Sequence, residues 1–88
     1  MTAPVTLAEA RLFLRVEHDA EDGLIQTLIE AAQARVEAEV GQAVDAASAA
    51  PLRLAVLMLV LRAYERGGRE MPIRPVEAWV APYRAVRL

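Results

Sequence analysis

The chain has 88 residues, 56% of them hydrophobic and 5% aromatic, with no cysteine, one histidine and a formal net charge of −2. These values bound it as one small domain and exclude a disulfide staple, a thiolate metal site and a histidine-rich site. They also exclude the overall basic signature of a nucleic-acid-binding chain.

Small aliphatic residues, alanine above all, supply the apolar mass. Alanine loses no side-chain entropy in a helix, so the composition favours closely packed helices over strands. A chain this short buries only about 60–65% of its unfolded surface as a monomer. An apolar-rich chain of that size commonly gains stability by oligomerising. All ten basic residues are arginine, which with the alanine content fits a GC-rich genome. The charge is uneven: residues 1–44 carry three arginines and eight acids, whereas residues 45–88 carry seven arginines and four acids. A negative half meeting the positive half of a neighbouring copy is a head-to-tail contact, and such contacts close into rings.

Thr6-Leu-Ala-Glu9 is a capping box, in which hydroxyl and carboxylate each bond the other residue's amide. It opens a first helix to about Arg15, with Leu7, Ala10, Leu14 and Phe13 on the apolar side. Residues 16–23 form an acidic connection in which Asp19 is the expected N-cap. A second helix is expected from about Ala20 to Val40, with Gly41 as its C′ residue. Its apolar stripe reads Leu24, Leu28, Ala32, Val36 and Val40, with Ile25 and Ile29 alongside, at helical spacing. Gln26, Glu30, Gln33 and Glu37 mark its wet face.

Residues 42–50 form a loop of small residues. Pro51 suits the first position of a third helix, with Ser48 or Ala50 near the cap. That helix runs to about Arg66 and stops at Gly67-Gly68. From Leu54 to Leu61 it is apolar on every side, the pattern of a helix buried all round. An 88-residue monomer has few elements with which to surround such a helix, so this run is a candidate subunit interface. It is also too short to span a bilayer, which takes about 20 residues. The N-terminus lacks a basic segment followed by an apolar stretch, so no signal peptide is expected. After an extended, proline-punctuated linker (69–75), Pro75 can start a short fourth helix over Val76 to Val80, ended by Pro82. Tyr83 to Leu88 alternates enough to pair as a strand, and a short apolar-basic tail can add to a partner's sheet edge.

No catalytic set emerges. Asp19, Glu21 and Asp22 beside His18 are explained by the attraction of acids to a helix N-terminus. Gly67-Gly68 lacks the Lys-Ser/Thr of a phosphate loop. Arg62, Arg66, Arg69 and Arg74 gather at the end of the third helix, where cations are favoured. Their alternative use is phosphate contact without sequence readout. Trp79 and Tyr83 are spaced i, i+4. Trp79 is expected to close over the core, and Tyr83 is less easily buried.

The stretch from Leu7 to Ile25, Leu-Ala-Glu-Ala-Arg-Leu-Phe-Leu-Arg-Val-Glu-His-Asp-Ala-Glu-Asp-Gly-Leu-Ile, resembles the opening of phage head–tail connector proteins. The likeness continues through Leu28 to Ala32, Val36-Glu37 and Gly41. It resumes at Pro51, Ala55 to Val60 and Tyr64-Glu65, then at Val80-Ala81-Pro82-Tyr83-Arg84. The family often carries more residues between the long helix and the next than the nine here. What the resemblance implies is a helical subunit, typically in a dodecameric ring under the portal of a phage, prophage or gene transfer agent. The ring extends the DNA channel, passes DNA without reading its sequence and gives a tail-side stopper or neck protein a platform. It also implies that the C-terminal segment, here Ala81, Pro82, Tyr83, Arg84, Ala85, Val86, Arg87 and Leu88, binds the portal.

The expected architecture is therefore all-α, a small bundle of three to four helices over residues 1–80 with an extended docking tail over 81–88. The expected role is structural, in the neck of a particle assembled in the bacterial cytoplasm, with no enzyme activity, cofactor, metal or membrane. The subunit-interface candidates are Leu54, Leu57, Met58, Leu61, Arg62, Arg66, Glu30 and Glu37. The alternative is a small helical DNA-binding or packaging-associated protein, against which the acidic N-terminal half and the absence of lysine argue.

Overall fold

A computed structural model of the chain describes residues 3–66 and 80–83. In it three helices follow one another: α1 (Leu7–Leu14), α2 (Asp22–Val40) and α3 (Ala50–Glu65). Val80 and a single 3₁₀ turn, Ala81–Tyr83, complete the described residues, which contain no strand. The all-α class expected from composition and periodicity is the class observed.

The capping box forms as its sequence requires. The Thr6 amide donates to Glu9 Oε1 at 2.9 Å, and the Glu9 amide donates to Thr6 Oγ1 at 3.1 Å. The Thr6 amide, then the Thr6 hydroxyl, hold the Glu9 carboxyl below its ordinary value, with a smaller contribution from the Arg53 charge. α1 ends at Arg15, whose φ of 61° is left-handed and whose amide donates to Arg11 O and Leu12 O. Arginine at such a position costs about 1–2 kcal/mol relative to right-handed backbone.

α2 begins two residues later than expected. Glu21 is the N-cap with no side-chain bond, and Asp19 contributes only its carbonyl, which accepts from the Asp22 amide at 3.2 Å. Ile25, Ile29, Ala32, Val36 and Val40 are the buried stripe. The expected stripe is thus rotated: Ile25 and Ile29 lie at its centre, while Leu24 is 47% exposed. Gly41, at φ 73°, ends the helix as a left-handed cap, the role foreseen for it.

The loop from 42 to 49 is tied down by polar bonds. Gln33 Nε2 donates to Val44 O at 3.0 Å, and the Val44 amide donates to Glu37 Oε2 at 2.9 Å. The Asp45 amide donates to Ser48 Oγ, and the Ala47 amide donates to Asp45 Oδ1. Ser48 is thereby engaged within the turn, and Ala49 is the N-cap of α3, with Pro51 second in the helix rather than first.

α3 packs mainly on α2, and α1 packs on both. The first residues of α2 lie beside the last turn of α3, where Tyr64 Oη donates to a Glu21 carboxylate oxygen, so the two long helices run antiparallel. That bond raises the Tyr64 hydroxyl above its ordinary value, because it favours the protonated phenol. Val5, Ala10, the α2 stripe, Val44, five residues of α3 and Val80 form one core. Among the described residues every buried side chain is apolar.

Candidate interaction surfaces

α3 presents two faces. Leu52, Ala55, Val56, Leu59 and Val60 are buried against α2 and α1. The apolar run does not leave the helix buried all round within one copy: Leu54 is 39% exposed. Leu57 and Met58 are half-buried and pack at the margin of the core, and Leu61 is half-buried. At about 100° per residue, Leu54 and Leu61 lie on the side opposite the core, with Leu57 and Met58 on its two shoulders. The burial is thus one-sided. The helix retains an apolar outer face that the described residues leave partly exposed.

The charged candidates divide by use. Arg62 is half-buried at the end of α3, and exposed Arg66 closes the helix through its amide, bonded to Arg62 O at 3.0 Å. Glu30 is exposed and accepts from Gln26 Nε2 at 3.2 Å on the same helix. Glu37 is engaged internally: its carboxylate receives both the Gln33 amide group and the Val44 backbone. The pattern that marked Glu37 as wet did not distinguish a solvated carboxylate from one that holds the following loop.

Within the C-terminal segment, Ala81 and Pro82 are exposed and Tyr83 is half-buried against the core. Gln42 Nε2 donates to Tyr83 O at 2.7 Å, joining the end of α2 to this turn. Pro82 lies inside the 3₁₀ turn. Arg84 to Leu88, the linker, Arg69, Arg74, Trp79 and most of the expected fourth helix lie outside the described residues.

A further surface escaped sequence reasoning. Leu12 on α1 is 80% exposed, two residues and about 200° around the helix from buried Ala10. It lies in a shallow open groove formed with Ala8, Arg11, Arg15, Val16 and Glu17. The available signal was its phase, half a turn away from Leu7, Ala10 and Leu14. Arg11 in this groove is committed to α2, its Nε 3.2 Å from Asp22 Oδ1. Neither atom has a hydrogen-bond partner, so the contact is an ion pair off the N–H axis. Exposed or half-exposed pairs of this kind are worth about 0–1 kcal/mol.

The acidic turn holds no metal cage. Among the described residues no three His, Cys, Asp or Glu side chains are arranged to share an ion. Nor is any described helix long and apolar enough to cross a membrane. What the geometry offers is an exposed apolar groove on α1, an apolar outer face on α3, and a C-terminal turn bonded to the bundle.

A family model described as phage gp6-like head-tail connector protein matches residues 4–75. No curated protein and no solved structure matches the chain. The match spans α1, α2, the clamped loop and α3, so the resemblance drawn from Leu7 to Glu65 falls within it. Val80 to Arg84 lies beyond its end.

Proposed function

The chain belongs to the phage gp6-like head-tail connector family, and from that premise we propose that its copies form a ring beneath the portal of a phage or phage-derived particle. In this reading the particle contains a dodecamer. The ring extends the DNA channel, and its far side is the platform for a tail-side stopper. The family match carries the proposal, and the uncovered outer face of α3 supports it. Leu54, with Leu57, Met58 and Leu61, offers the apolar centre of a subunit contact, and Arg62 and Arg66 lie at its end. Contacts between unlike faces around an axis generate a closed ring. Many copies, each bound weakly, then hold the neck through multivalency.

The segment 81–88 docks on the portal. Its root is fixed to the bundle by Val80 in the core and by the Gln42–Tyr83 bond. The work done is assembly rather than bond chemistry, in the neck of the particle, on subunits made in the bacterial cytoplasm.

The test removes the tail but spares its root. Deleting Arg84 to Leu88 leaves helical circular dichroism and melting unchanged, whereas heads carrying the truncated subunit fail to acquire tails in electron micrographs. Normal tailed particles from that variant refute portal docking by this segment.

A further inference from the structure

We infer that residues 80–83 are a strap that opens and closes together with the loop over residues 42–49, as one conformational unit of the single chain. Three observations carry this. First, the strap is seated: Val80 is fully buried in the core, and Tyr83 packs against that core. Second, strap and loop are joined across 41 residues of sequence, because Gln42 Nε2 donates to Tyr83 O at 2.7 Å. Third, Gln42 stands between two fixed points. Before it, Gly41 takes the left-handed cap conformation, and its amide donates to Glu37 O at 2.8 Å. After it, Val44 is fully buried, its amide donates to Glu37 Oε2 at 2.9 Å, and its carbonyl accepts from Gln33 Nε2 at 3.0 Å.

Gln42 is exposed, so water competes for its amide and the entropy of holding a long side chain opposes the bond. What favours the bond is that both ends are already held, the donor by the clamped loop and the acceptor by the seated strap. Releasing either end removes that advantage from the other, and such coupling is equal in both directions. The far end of α2, where the Ile25 amide donates to Glu21 O and Tyr64 meets Glu21, shares none of these bonds. Strap and loop can therefore open below the free energy of global unfolding, as a unit of the kind that native-state exchange resolves.

The chain has no cysteine, so Val80→Cys places a single buried thiol in the strap. The experiment follows its labelling by a thiol reagent in the folded full-length chain, with and without Glu37→Ala, which unclamps the loop. Two results are expected. The opening constant from labelling exceeds the global unfolding constant of the same variant from urea melting, and Glu37→Ala raises it by about 2–10-fold, the worth of one net hydrogen bond. An opening constant equal to the global one overturns the inference, because the strap then has no opening of its own. A labelling rate indifferent to Glu37→Ala also overturns it, because the strap then opens without the loop. A second measurement leaves the core intact and reads the coupling from the other side. Gln42→Ala, at an exposed position, speeds hydrogen exchange of the Val44 amide by the same about 2–10-fold. Val44 exchange unchanged by Gln42→Ala shows that the loop opens alone and refutes the shared unit.

Discussion

Ile29 and Leu12 are both aliphatic side chains on helices, yet they do opposite things. Ile29 is fully buried where α2 meets the rest of the core, and Leu12 is 80% exposed. Truncating a buried isoleucine loses its transfer free energy and leaves a cavity, at about 2–5 kcal/mol. Ile29→Ala is therefore expected to lower the urea midpoint sharply, a large loss for a chain whose total stability is roughly 4–13 kcal/mol. Leu12→Ala removes surface already in water and changes stability by no more than about 0.5 kcal/mol. Equal destabilisation by the two variants contradicts the burial pattern. The same contrast separates two acids on α2. Glu30 bonds only a neighbour on its own helix, whereas Glu37 holds the backbone of a loop seven residues on.

At the scale of the element, each helix is set by its ends. α1 has eight residues, too few to be stable alone, and depends on the Thr6–Glu9 box and on packing through Ala10. α2 lacks a side-chain cap and carries Gly23 in its first turn. Thr27 Oγ1 donates to Gly23 O at 3.0 Å, and a Cβ added at Gly23 meets nothing within 4 Å. The residue is helical, so alanine fits its backbone and narrows the unfolded ensemble. Gly23→Ala is expected to stabilise the protein by about 0.4–1 kcal/mol, seen as a raised melting temperature. A lowered one signals a requirement for glycine there that the described neighbours do not account for. The Tyr64–Glu21 bond compensates in part for the missing cap by fixing the start of α2 to the end of α3.

Across the whole molecule, the ring proposed above would place fold and assembly on opposite sides of α3. Val56 is fully buried, so Val56→Asp places an unpaired charge in the core, costs several kcal/mol and leaves the monomer unfolded. Leu54→Asp, on the outer face, is expected to leave monomer melting within about 1 kcal/mol of the unsubstituted chain and, on the proposed ring reading, to block assembly. Melting by circular dichroism and particle yield read the two effects separately. A Leu54→Asp protein that assembles normally removes that face from the subunit contact. Aspartate at Leu57, half-buried on the shoulder of the core, falls between the two.

The type and most boundaries of the three described helices were legible in the chain itself. Capping chemistry, glycine at Gly41 and a 3.6-residue apolar period are local, and local rules act before any tertiary contact forms. So were the family and the asymmetry of charge. The sequence did not reveal which side of an alanine-rich helix faces inward: the α2 stripe is rotated towards Ile25 and Ile29, because neighbours on α1 and α3 choose among several apolar positions of similar hydrophobicity. Nor did it reveal that Glu37 holds a loop, that Val44 is a core residue, or that Leu12 is left in water. Those outcomes depend on which surfaces remain after three helices have packed, and with so small a core an apolar side chain displaced by one helical position passes from the interior to solvent.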